Sequence, residues 1–561
     1  MSEAQKKQNF LQGTALLAMA TAIVKVIGAL YKIPLNAIIG AQGFGYFNTA
    51  YEIYNVLLMI STAGLPVAMS RMISQANALG HSNQVRRVYT TSRNLFLILG
   101  ITGTLLMTLL CKQLAVFQGQ PDAWYAIACL GPCVLLICMM SAYRGFFQGH
   151  GNMIPTSVSQ VLEAIVKLIV GIGLALAVIS VSGSIPKAAG GAILGVTISC
   201  VASVLYLLRC FRKGYRQLPA SNDTALSPGH TTKQLLSIAI PITIGAAGLQ
   251  LLTVLETGIY MDNLLELLHS GRYETKVVQA LREQVMANYP GISLENLQNK
   301  VAANLKGIYN MTQTVYNLPV AFVTPITISI IPAITSHLTL KNHNSAKATA
   351  ESAARITGLI CMPCAVGLML LAEPIMGLLW GHTGEDLVLG GQLMAILGLC
   401  VFLYGIIQYT NALMQAHGYA HIPVINMLVA GAAKLAVVYI LTGNANIGIL
   451  GAPIGAALCY GAIAIMNLIA IAKVVPQKPR LIRNLLRPLF PALIMGVCVW
   501  GCQWGLIQIL GEGASRVILC GLPICVGAAV YVVTAVKFRA ITREDCLLLP
   551  KGEKIAKLLH L

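Results

Sequence analysis

Six ionisable side chains lie inside long apolar stretches of the sequence, where charged residues are otherwise rare. A charge near the centre of a bilayer costs roughly 2.5 to 3.5 kcal/mol on insertion scales, so a retained charge is expected to face a cavity or another charge. Ammonium groups in such a cavity can hold an anion such as a diphosphate, whereas carboxylates can bind a proton or a sodium ion, or neutralise a lysine. The six residues are Lys25, Glu52, Glu163, Lys167, Glu256 and Lys434.

The lysines among them differ in the counter-ions that the nearby sequence offers. Glu163 and Lys167 are four residues apart, so they share a helix face and can form a local ion pair. Lys25 and Lys434 have no carboxylate at helical spacing, and Ala430 stands four residues before Lys434. Two lysines without local counter-ions predict a water-filled central cavity of positive potential. For Lys25, which lies late in its apolar stretch, reaching the membrane interface is the alternative.

The carboxylates have two alternative roles. Glu52 and Glu256 are candidates for binding a coupling ion or for balancing lysine charge, and the sequence leaves both roles open. Glu163 belongs to the same candidate set through its spacing to Lys167.

One apolar stretch is the best candidate for a helix that bends. Pro319, Pro325 and Pro332 follow one another at six- and seven-residue spacing. Prolines in membrane helices free backbone carbonyls and permit bending. This segment is therefore a hinge candidate, with a set of static kinks as the alternative.

These charges must be positioned by membrane-spanning helices, because the composition excludes an ordinary soluble protein. The chain has 561 residues, of which 56% are hydrophobic and only 10% are charged, whereas soluble domains carry roughly 25% charged residues. Apolar runs of about 20 residues, the length that crosses a bilayer, recur along the chain. We predict an all-α integral membrane protein with about fourteen spans: residues 10–30, 46–66, 89–110, 123–143, 154–180, 187–209, 235–262, 307–336, 350–372, 387–412, 421–442, 447–472, 484–510 and 515–536.

The basic residues indicate the orientation of these spans. Most of the 38 Lys and Arg residues fall in connections that share one side if the spans alternate, which is the positive-inside asymmetry of cytoplasmic loops. Both termini are therefore predicted to be cytoplasmic. The net charge of +19 reflects this orientation, with contact to anionic membrane lipids as a secondary interpretation, and it does not indicate nucleic-acid binding.

The sequence contains two similar halves. Each copy holds six spans, an even number, so both copies have the same topology and are related by an axis along the membrane normal. Transporters built in this way place the substrate path between the halves. The matching motifs are Gly45-Tyr-Phe-Asn48 with Gly307-Ile-Tyr-Asn310, at a spacing of 262 residues, and Gln148-Gly-His150-Gly151 with Gln415-Ala-His417-Gly418, at a spacing of 267.

The duplication suggests a division of the chain. The C-terminal copy contains an outer insertion, 263–305, whose mixed charge and partial periodicity predict one or two amphipathic helices; its role as decoration, gate or partner contact is open. The predicted parts are an N-terminal lobe at 1–215, a cytoplasmic linker at 216–234, a C-terminal lobe at 235–475, a helix pair at 476–540 and a cytoplasmic tail at 541–561.

Motifs for catalysis, nucleotide hydrolysis and metal binding are missing from the sequence. It has no Gly-Lys-Ser/Thr phosphate loop and no His-Glu-x-x-His, so we predict neither an enzyme nor an ATP-driven pump, and no cofactor or metal site. Cys361 and Cys364 have the spacing of a redox pair but lie mid-span, so they are interpreted as small buried residues. His150 and His417 occupy equivalent turns and are interpreted as helix caps.

The N-terminal motifs resemble those of a known family. Together with the Gln-Gly-His-Gly turn and the Tyr-Asn pairs of the eighth span, they resemble the stage V sporulation protein B group of polysaccharide transporters. That group belongs to the multidrug/oligosaccharidyl-lipid/polysaccharide (MOP) flippase superfamily. The motifs are Gly13-Thr14, Lys25-Val-Ile-Gly28-Ala-Leu-Tyr31-Lys32-Ile-Pro34, Gly43-Phe-Gly45-Tyr-Phe-Asn48 and Ser61-Thr-Ala-Gly64-Leu-Pro66.

The resemblance implies a V-shaped, MATE-like pair of six-helix lobes around a cationic cavity in the bacterial cytoplasmic membrane. It implies a flippase that moves undecaprenyl-diphosphate-linked oligosaccharide, or the peptidoglycan precursor lipid II, to the outer leaflet by alternating access. The lipid-linked glycan, membrane lipids and cell-wall synthesis proteins are the expected partners.

The resemblance also suggests a substrate site. Lys25 and Lys32 look like the basic residues of the family's first helix, and the diphosphate is expected near Lys25, Lys167 and Lys434. The family commonly has arginines where this chain has lysines. A cation-coupled multidrug exporter of the same superfamily is the alternative, and an enzyme that modifies a lipid-linked sugar is a weaker one.

Overall fold

The chain folds into helices joined by short turns. The computed structural model describes the backbone of residues 3–216, 218, 221–476, 478–511 and 515–542; the side chains at 3–19, 22, 63, 78, 216, 241, 245, 246, 249, 321–330, 332, 333, 336 and 339 lie outside the description. No strand occurs in the described part. The helices are α1 (Glu3–Met59), α2 (Leu65–Ala78), α3 (Ser82–Leu109), α4 (Cys111–Phe117), α5 (Trp124–Gly149), α6 (Ile154–Ser182), α7 (Ile185–Arg216), α8 (Pro228–His269), α9 (Lys276–Asn288), α10 (Leu294–Thr339), α11 (His343–Leu370), α12 (Ala372–Trp380), α13 (Gly384–Ala416), α14 (His421–Thr442), α15 (Gly451–Val474), α16 (Leu481–Leu486), α17 (Leu489–Leu510) and α18 (Arg516–Lys537).

Eleven segments of the described residues are long and apolar enough to cross a membrane. The first, Ile23–Asn77, has 55 residues. It contains all of the predicted span 46–66 and residues 23–30 of the predicted span 10–30. Gly40 bends this segment with φ 65° and ψ −177°, a backbone conformation that residues with a side chain rarely adopt. The first two predicted spans are therefore connected by a bend in α1 rather than by a loop.

The other predicted spans also fall on helices. Spans 235–262 and 307–336 coincide with α8 and α10, which have 42 and 46 residues. Both helices extend into the insertion at 263–305, and the 13-residue α9 lies between them. The terminal pair, 484–510 and 515–536, is present as α17 and α18. The all-helical membrane fold is confirmed, whereas the count of fourteen spans stays a prediction.

Packing divides the chain into two compact units whose boundaries differ from those of the predicted lobes. Unit 1 is Met1–Ser270 with Leu281–Gly307, and unit 2 is Gly271–Ala280 with Ile308–Leu561. The duplication assigns α8 to the second lobe, yet α8 packs on α1, α2 and α3 within unit 1. α10 begins in unit 1 and continues into unit 2. The lobe boundaries stay a prediction about the sequence repeat.

Unit 1 is organised by α5, which packs against α3 and α7, and by α6, which packs against α7 and α1. The approach of α6 to α7 depends on glycine, because a Cβ on Gly195 would overlap the backbone of Gly171. Small residues let membrane helices pack closely and gain van der Waals contact. Tyr31 of α1 donates a hydrogen bond to the Ala192 carbonyl oxygen of α7 at 3.3 Å. This packing fixes α1, α6 and α7 beside one another.

Unit 2 is built around α13, which packs on α11 and α15, while α14 packs on α15. Tyr409 of α13 is buried and donates to the Ala350 carbonyl oxygen of α11 at 2.7 Å. α17 and α18 pack on each other, and Tyr531 of α18 donates to the Leu359 carbonyl oxygen of α11 at 2.8 Å. The terminal helix pair is therefore fastened to α11 within unit 2.

Candidate functional site

The bend at Gly40 brings two polar positions of α1 together. Lys32 precedes the bend and Asn48 follows it, and the Lys32 Nζ lies 3.5 Å from the Asn48 Oδ1. In a straight helix these residues would be about 24 Å apart, at 1.5 Å per residue, so the contact depends on the bend. The Lys32 ammonium also lies 5.6 Å from the centroid of the Phe44 ring, a cation–π distance. Lys32 is therefore held inside unit 1.

Lys167 of α6 reaches the same region from the neighbouring helix. Its Nζ lies 5.7 Å from the ring centroid of Tyr31, the residue before Lys32. Lys167 and Glu52 are both close enough to Lys32 to act on it electrostatically, the first repelling its charge and the second attracting it. The fold thus brings together Lys32 and Lys167, which are distant in sequence.

Glu52 is paired with Lys306, a residue that the sequence reasoning missed. The Lys306 side chain is 0% exposed, and its Nζ lies 3.2 Å from the Glu52 Oε2. The ammonium also donates to the Thr49 Oγ1 at 2.8 Å. Both charges need partners here, because an unpaired buried charge costs several kcal/mol. Lys306 lies between the insertion and the motif that opens the eighth span, so neither pattern singled it out. The position of Lys306 directly before the repeated motif Gly307-Ile-Tyr-Asn310 was the one sequence feature that could have identified it.

Two glycines let α10 approach α1 closely enough for this ion pair to form. A Cβ on Gly45 would lie 2.6 Å from the Ala303 carbonyl oxygen, and a Cβ on Gly307 would overlap the Ala41 carbonyl oxygen. The contact is reciprocal, because each glycine of the repeated motif faces the residue four positions before the other glycine. The helix crossing therefore follows the internal repeat, and it brings the lysine before Gly307 to the carboxylate of α1.

Glu163 is paired with Arg144 rather than with Lys167, which corrects the local pair expected from the four-residue spacing. The Arg144 Nη2 lies 3.2 Å from the Glu163 Oε2, and its Nε donates to the Ser159 Oγ at 3.0 Å. The planar guanidinium of α5 binds two acceptors of α6 at once, whereas an ammonium is a compact point charge. The Lys167 ammonium lies instead beside the Tyr31 ring.

The remaining predicted lysines, Lys25 and Lys434, lie in different units. Lys25 is exposed on α1, seven residues before Lys32, a spacing that puts both on one helix face. Lys434 is half-buried in unit 2 and lies close enough to the Cys400 thiol to act on it electrostatically. Its sequence neighbours suggested an isolated charge, but Lys434 has an interaction partner in the structure. That Lys25 and Lys434 belong to one anion site stays a prediction.

Glu256 and the hinge prolines also stay predictions. Glu256 of α8 is buried in unit 1 and has an interaction partner, which fits both ion coupling and charge balance. The described backbone of α10 is continuous across all three proline positions. Pro319 is half-buried, and the side chains of Pro325 and Pro332 lie outside the described residues.

The cysteine pair lies inside α11, and the turn histidines lie at the C-terminal ends of α5 and α13. Cys361 and Cys364 are not joined by a disulfide, and Cys361 is buried. Across the described ranges, no group of three or more His, Cys, Asp or Glu side chains is placed to hold a metal ion. The Nδ1 atoms of His150 and His417 each contact the carbonyl oxygen four residues earlier at 2.8 Å, which confirms their interpretation as helix caps.

The polar region of unit 1 combines three ammonium groups with one carboxylate, those of Lys32, Lys167, Lys306 and Glu52. The carboxylate offsets only one of the three charges, so these four residues keep an excess of positive charge among apolar helices. Attraction between charges is stronger where the dielectric constant is low. Lysine binds phosphate as a point charge, without the two-point geometry of arginine. The region is therefore suited to holding an anionic group.

The fold is that of the transporters of the MOP superfamily. A multidrug resistance MATE family transporter in its inward-facing conformation has a TM-score of 0.60 at 16% identity, over 82% of this chain and 95% of that chain. The lipid II flippase MurJ in its inward closed conformation has a TM-score of 0.61 at 15% identity, over 94% of this chain and 99% of that chain. This chain is therefore a multi-pass membrane protein with a transporter fold.

The chain belongs to the polysaccharide biosynthesis protein family, whose model matches residues 10–337. The model described as lipid II flippase MurJ matches residues 295–508. Two relatives from Bacillus subtilis (strain 168) align over nearly their full length. Lipid II flippase MurJ is 25% identical over 93% of this chain and 94% of the relative, and stage V sporulation protein B is 24% identical over 97% and 98%. The family resemblance inferred from the sequence motifs is confirmed.

Proposed function

We propose that the chain is a flippase that moves an undecaprenyl-diphosphate-linked oligosaccharide, or the peptidoglycan precursor lipid II, from the inner to the outer leaflet of the bacterial cytoplasmic membrane. It works by alternating access, with both termini in the cytoplasm. The observation that carries the proposal is the joint position of Lys32 and Lys167 in membrane-spanning helices of unit 1. Lys25 and Lys434 are proposed as further members of the anion site.

The diphosphate is the group that these lysines recognise. Every lipid-linked glycan of this class carries it, whereas the sugars vary. An ion of carboxylate size costs on the order of 20 kcal/mol to move from water into a medium of dielectric constant about 4, so the diphosphate needs counter-charges along its path. Ammonium groups supply them, and point-charge recognition tolerates different sugars. The polyprenyl tail stays in the bilayer throughout.

The family comparisons support this substrate class. The match to the MurJ model covers residues 295–508, which include Lys306. One of the two relatives is named a lipid II flippase and the other a sporulation protein. A shared transporter fold and an excess of lysine charge inside the membrane helices together favour a carrier of a lipid-linked anionic precursor.

A cation-coupled multidrug exporter fits the charges of unit 1 less well. An organic cation needs a carboxylate whose charge is not already offset. Glu52 is held by Lys306 and Glu163 by Arg144, each at 3.2 Å. The likeness to a MATE transporter therefore supports the fold, and the charges favour an anion.

Complementation of a bacterial host whose own lipid II flippase can be depleted tests the proposal. The chain is expected to restore growth and the exposure of lipid II on the outer leaflet, measured with an enzyme added outside the cell. The Lys32→Gln/Lys167→Gln variant is expected to reach the membrane in normal amounts and to fail in both measurements. Lys187→Gln, which removes an exposed charge at the start of α7, is the matched control. Full rescue by the double variant contradicts the proposed role of the two lysines, and failure of the unmodified chain to expose lipid II excludes lipid II as the substrate.

A further inference from the structure

Glu52 is paired with one basic residue and lies near a second. Its Oε2 is 3.2 Å from the Lys306 Nζ. The Lys32 Nζ lies 3.5 Å from the Oδ1 of Asn48, which precedes Glu52 by four residues on the same face of α1, and the charge of Glu52 attracts that of Lys32. Lys306 holds the carboxylate in this structure, while Lys167 and Lys32 share the region beside Tyr31.

The contact between Lys306 and Glu52 depends on the crossing of α10 over α1. Lys306 directly precedes Gly307, whose missing Cβ permits the close approach to the Ala41 carbonyl oxygen. Gly307 is the last α10 residue of unit 1, and Ile308 belongs to unit 2. A step of transport that shifts α10 therefore acts directly on Lys306.

Neither member of this pair can lose its partner without replacement. The side chains of Lys306 and Glu52 are only 0% and 14% exposed, and an unpaired charge at such positions is strongly unfavourable. When α10 withdraws, Lys306 must reach water or another acceptor, and Glu52 must approach another cation. Lys32 is a cation that already interacts with it.

We propose that Lys306 sets the anion affinity of unit 1 by holding Glu52 away from Lys32. With the crossing closed, Glu52 is occupied by Lys306, and Lys32 and Lys167 bind the diphosphate. With the crossing open, Glu52 turns to Lys32, competes with the diphosphate and releases it. This exchange rests on the proposed function and assigns substrate release to a carboxylate inside the protein.

The charge balance of the region supports this order of events. Three ammonium groups and one carboxylate leave two positive charges in excess while Lys306 is present, and its withdrawal leaves one. The loss of one unit charge a few ångströms from an anion is expected to weaken binding by more than tenfold.

Neutralising both members of the pair separates this role from a purely structural one. Glu52→Gln/Lys306→Gln removes both charges of the pair together, so neither Glu52 nor Lys306 is left as an unpaired buried charge, and the variant is expected to fold. It is expected to bind farnesyl diphosphate at least as tightly as the unmodified chain, because Lys32 has lost its competitor. It is also expected to flip a fluorescent undecaprenyl-diphosphate-linked sugar at least tenfold more slowly in proteoliposomes, because release is impaired. Glu52→Asp, which keeps the charge, is expected to retain most of the rate.

The pair Lys300 and Asp122 provides a matched control. It also links α10 to the first half of the sequence, at 3.3 Å, but the Asp122 side chain is 48% exposed. Lys300→Gln/Asp122→Asn is expected to flip the same lipid within twofold of the unmodified rate.

Two results overturn the inference. An unchanged flipping rate in Glu52→Gln/Lys306→Gln means that the pair is only structural. A joint loss of farnesyl diphosphate binding and flipping means that the pair is needed to form the anion site and does not act in release of the anion. If the unmodified chain binds no farnesyl diphosphate, the proposed function itself fails, so the two failures are distinguishable.

Discussion

The α5–α6 pair of unit 1 and the α13–α14 pair of unit 2 are connected by the same kind of turn. His150 and His417 each place Nδ1 2.8 Å from the carbonyl oxygen four residues earlier. Each histidine is followed by a glycine in the left-handed region, Gly151 with φ 73° and Gly418 with φ 86°. Both turns therefore close the preceding helix with a side-chain contact and a residue that tolerates positive φ.

The helices on either side of the turn differ in charge. In unit 1, Arg144 binds Ser159 and Glu163 at 3.0 and 3.2 Å. At the repeat spacing of 267 residues, Arg144 corresponds to Asn411 and Ser159 to Asn426. An ionic contact between α5 and α6 thus has neutral counterparts in the second copy.

The counterpart in unit 2 is a network of amides. Asn426 donates to the Asn467 Oδ1 at 2.8 Å, and the Asn467 Nδ2 donates to the Thr410 Oγ1 and the Asn411 Oδ1 at 3.0 and 2.9 Å. Both solutions satisfy buried polar groups, as membrane helices require. The comparison teaches that the fold of either copy needs the turn. The ionic contact of Arg144 is replaced by amides at the equivalent positions of unit 2, so we expect it to serve a function specific to unit 1.

The largest expected effect comes from removing the equivalent lysines of the two copies, Lys167 and Lys434. Lys167→Gln is expected to slow flipping of a lipid-linked diphosphate by on the order of 100-fold, because a charge-assisted contact contributes roughly 1.5 to 3 kcal/mol. Lys434→Gln, at the matching position of unit 2, is expected to slow it by about tenfold or less. Flipping rates in proteoliposomes measure both. Equal losses would mean that the two copies contribute alike to the anion site.

Breaking the charged contact of unit 1 is expected to destabilise the protein more than breaking the neutral one. Arg144→Ala leaves Glu163 without its partner and is expected to cost about 3 kcal/mol. Asn411→Ala removes one amide contact in unit 2 and is expected to cost about 1 kcal/mol. Thermal unfolding in detergent compares the two variants. A smaller shift in Tm for Arg144→Ala than for Asn411→Ala would show that the ion pair adds little.

A methyl group at the helix crossing tests the reciprocal glycine contact. Gly307→Ala would push α10 away from the Ala41 carbonyl oxygen, and overpacking of this kind costs about 2 kcal/mol. Gly173→Ala is the control, since a Cβ at Gly173 meets no atom within 4 Å. The same unfolding experiment measures both substitutions. Tolerance of Gly307→Ala at the level of Gly173→Ala would exclude a close crossing.

The smallest expected effects come from the shared turns. His150→Ala and His417→Ala each remove one side-chain contact to a helix end, and each is expected to lower stability by about 1 kcal/mol or less. Neither is expected to change the preference for the lipid-linked substrate. Unfolding and flipping assays on the two variants check this symmetry. A selective loss of flipping in one of them would give that histidine a role in transport.

The sequence was sufficient for features that depend on local pattern. Apolar runs marked the spans because a membrane helix satisfies its own backbone groups and needs little else. The repeated motif containing His150 and His417 predicted equivalent turns, and the structure has them. The assignment of Lys32 and Lys167 to one anion site followed from the family resemblance and the rule that buried charges face a cavity, not from their spacing, and it stays a prediction.

The sequence was insufficient where partners come from different helices. Glu52 and Lys306 are 254 residues apart, and no local rule joins them. The four-residue rule favoured Lys167 for Glu163, but the packing of α5 on α6 brings Arg144 nearer to it. The bend at Gly40 was missed because a glycine inside an apolar stretch is compatible with a straight helix, a bend or a loop. Only the tertiary fold selects one of these conformations.

Native mass spectrometry of the chain in lipid nanodiscs tests the central claim most directly. Undecaprenyl diphosphate is expected to bind at least tenfold more tightly than undecaprenol. The Lys32→Gln/Lys167→Gln variant is expected to lose this preference, and the Lys187→Gln control is expected to keep it. Equal binding of the diphosphate and the alcohol, or an unchanged preference in the double variant, would contradict the account.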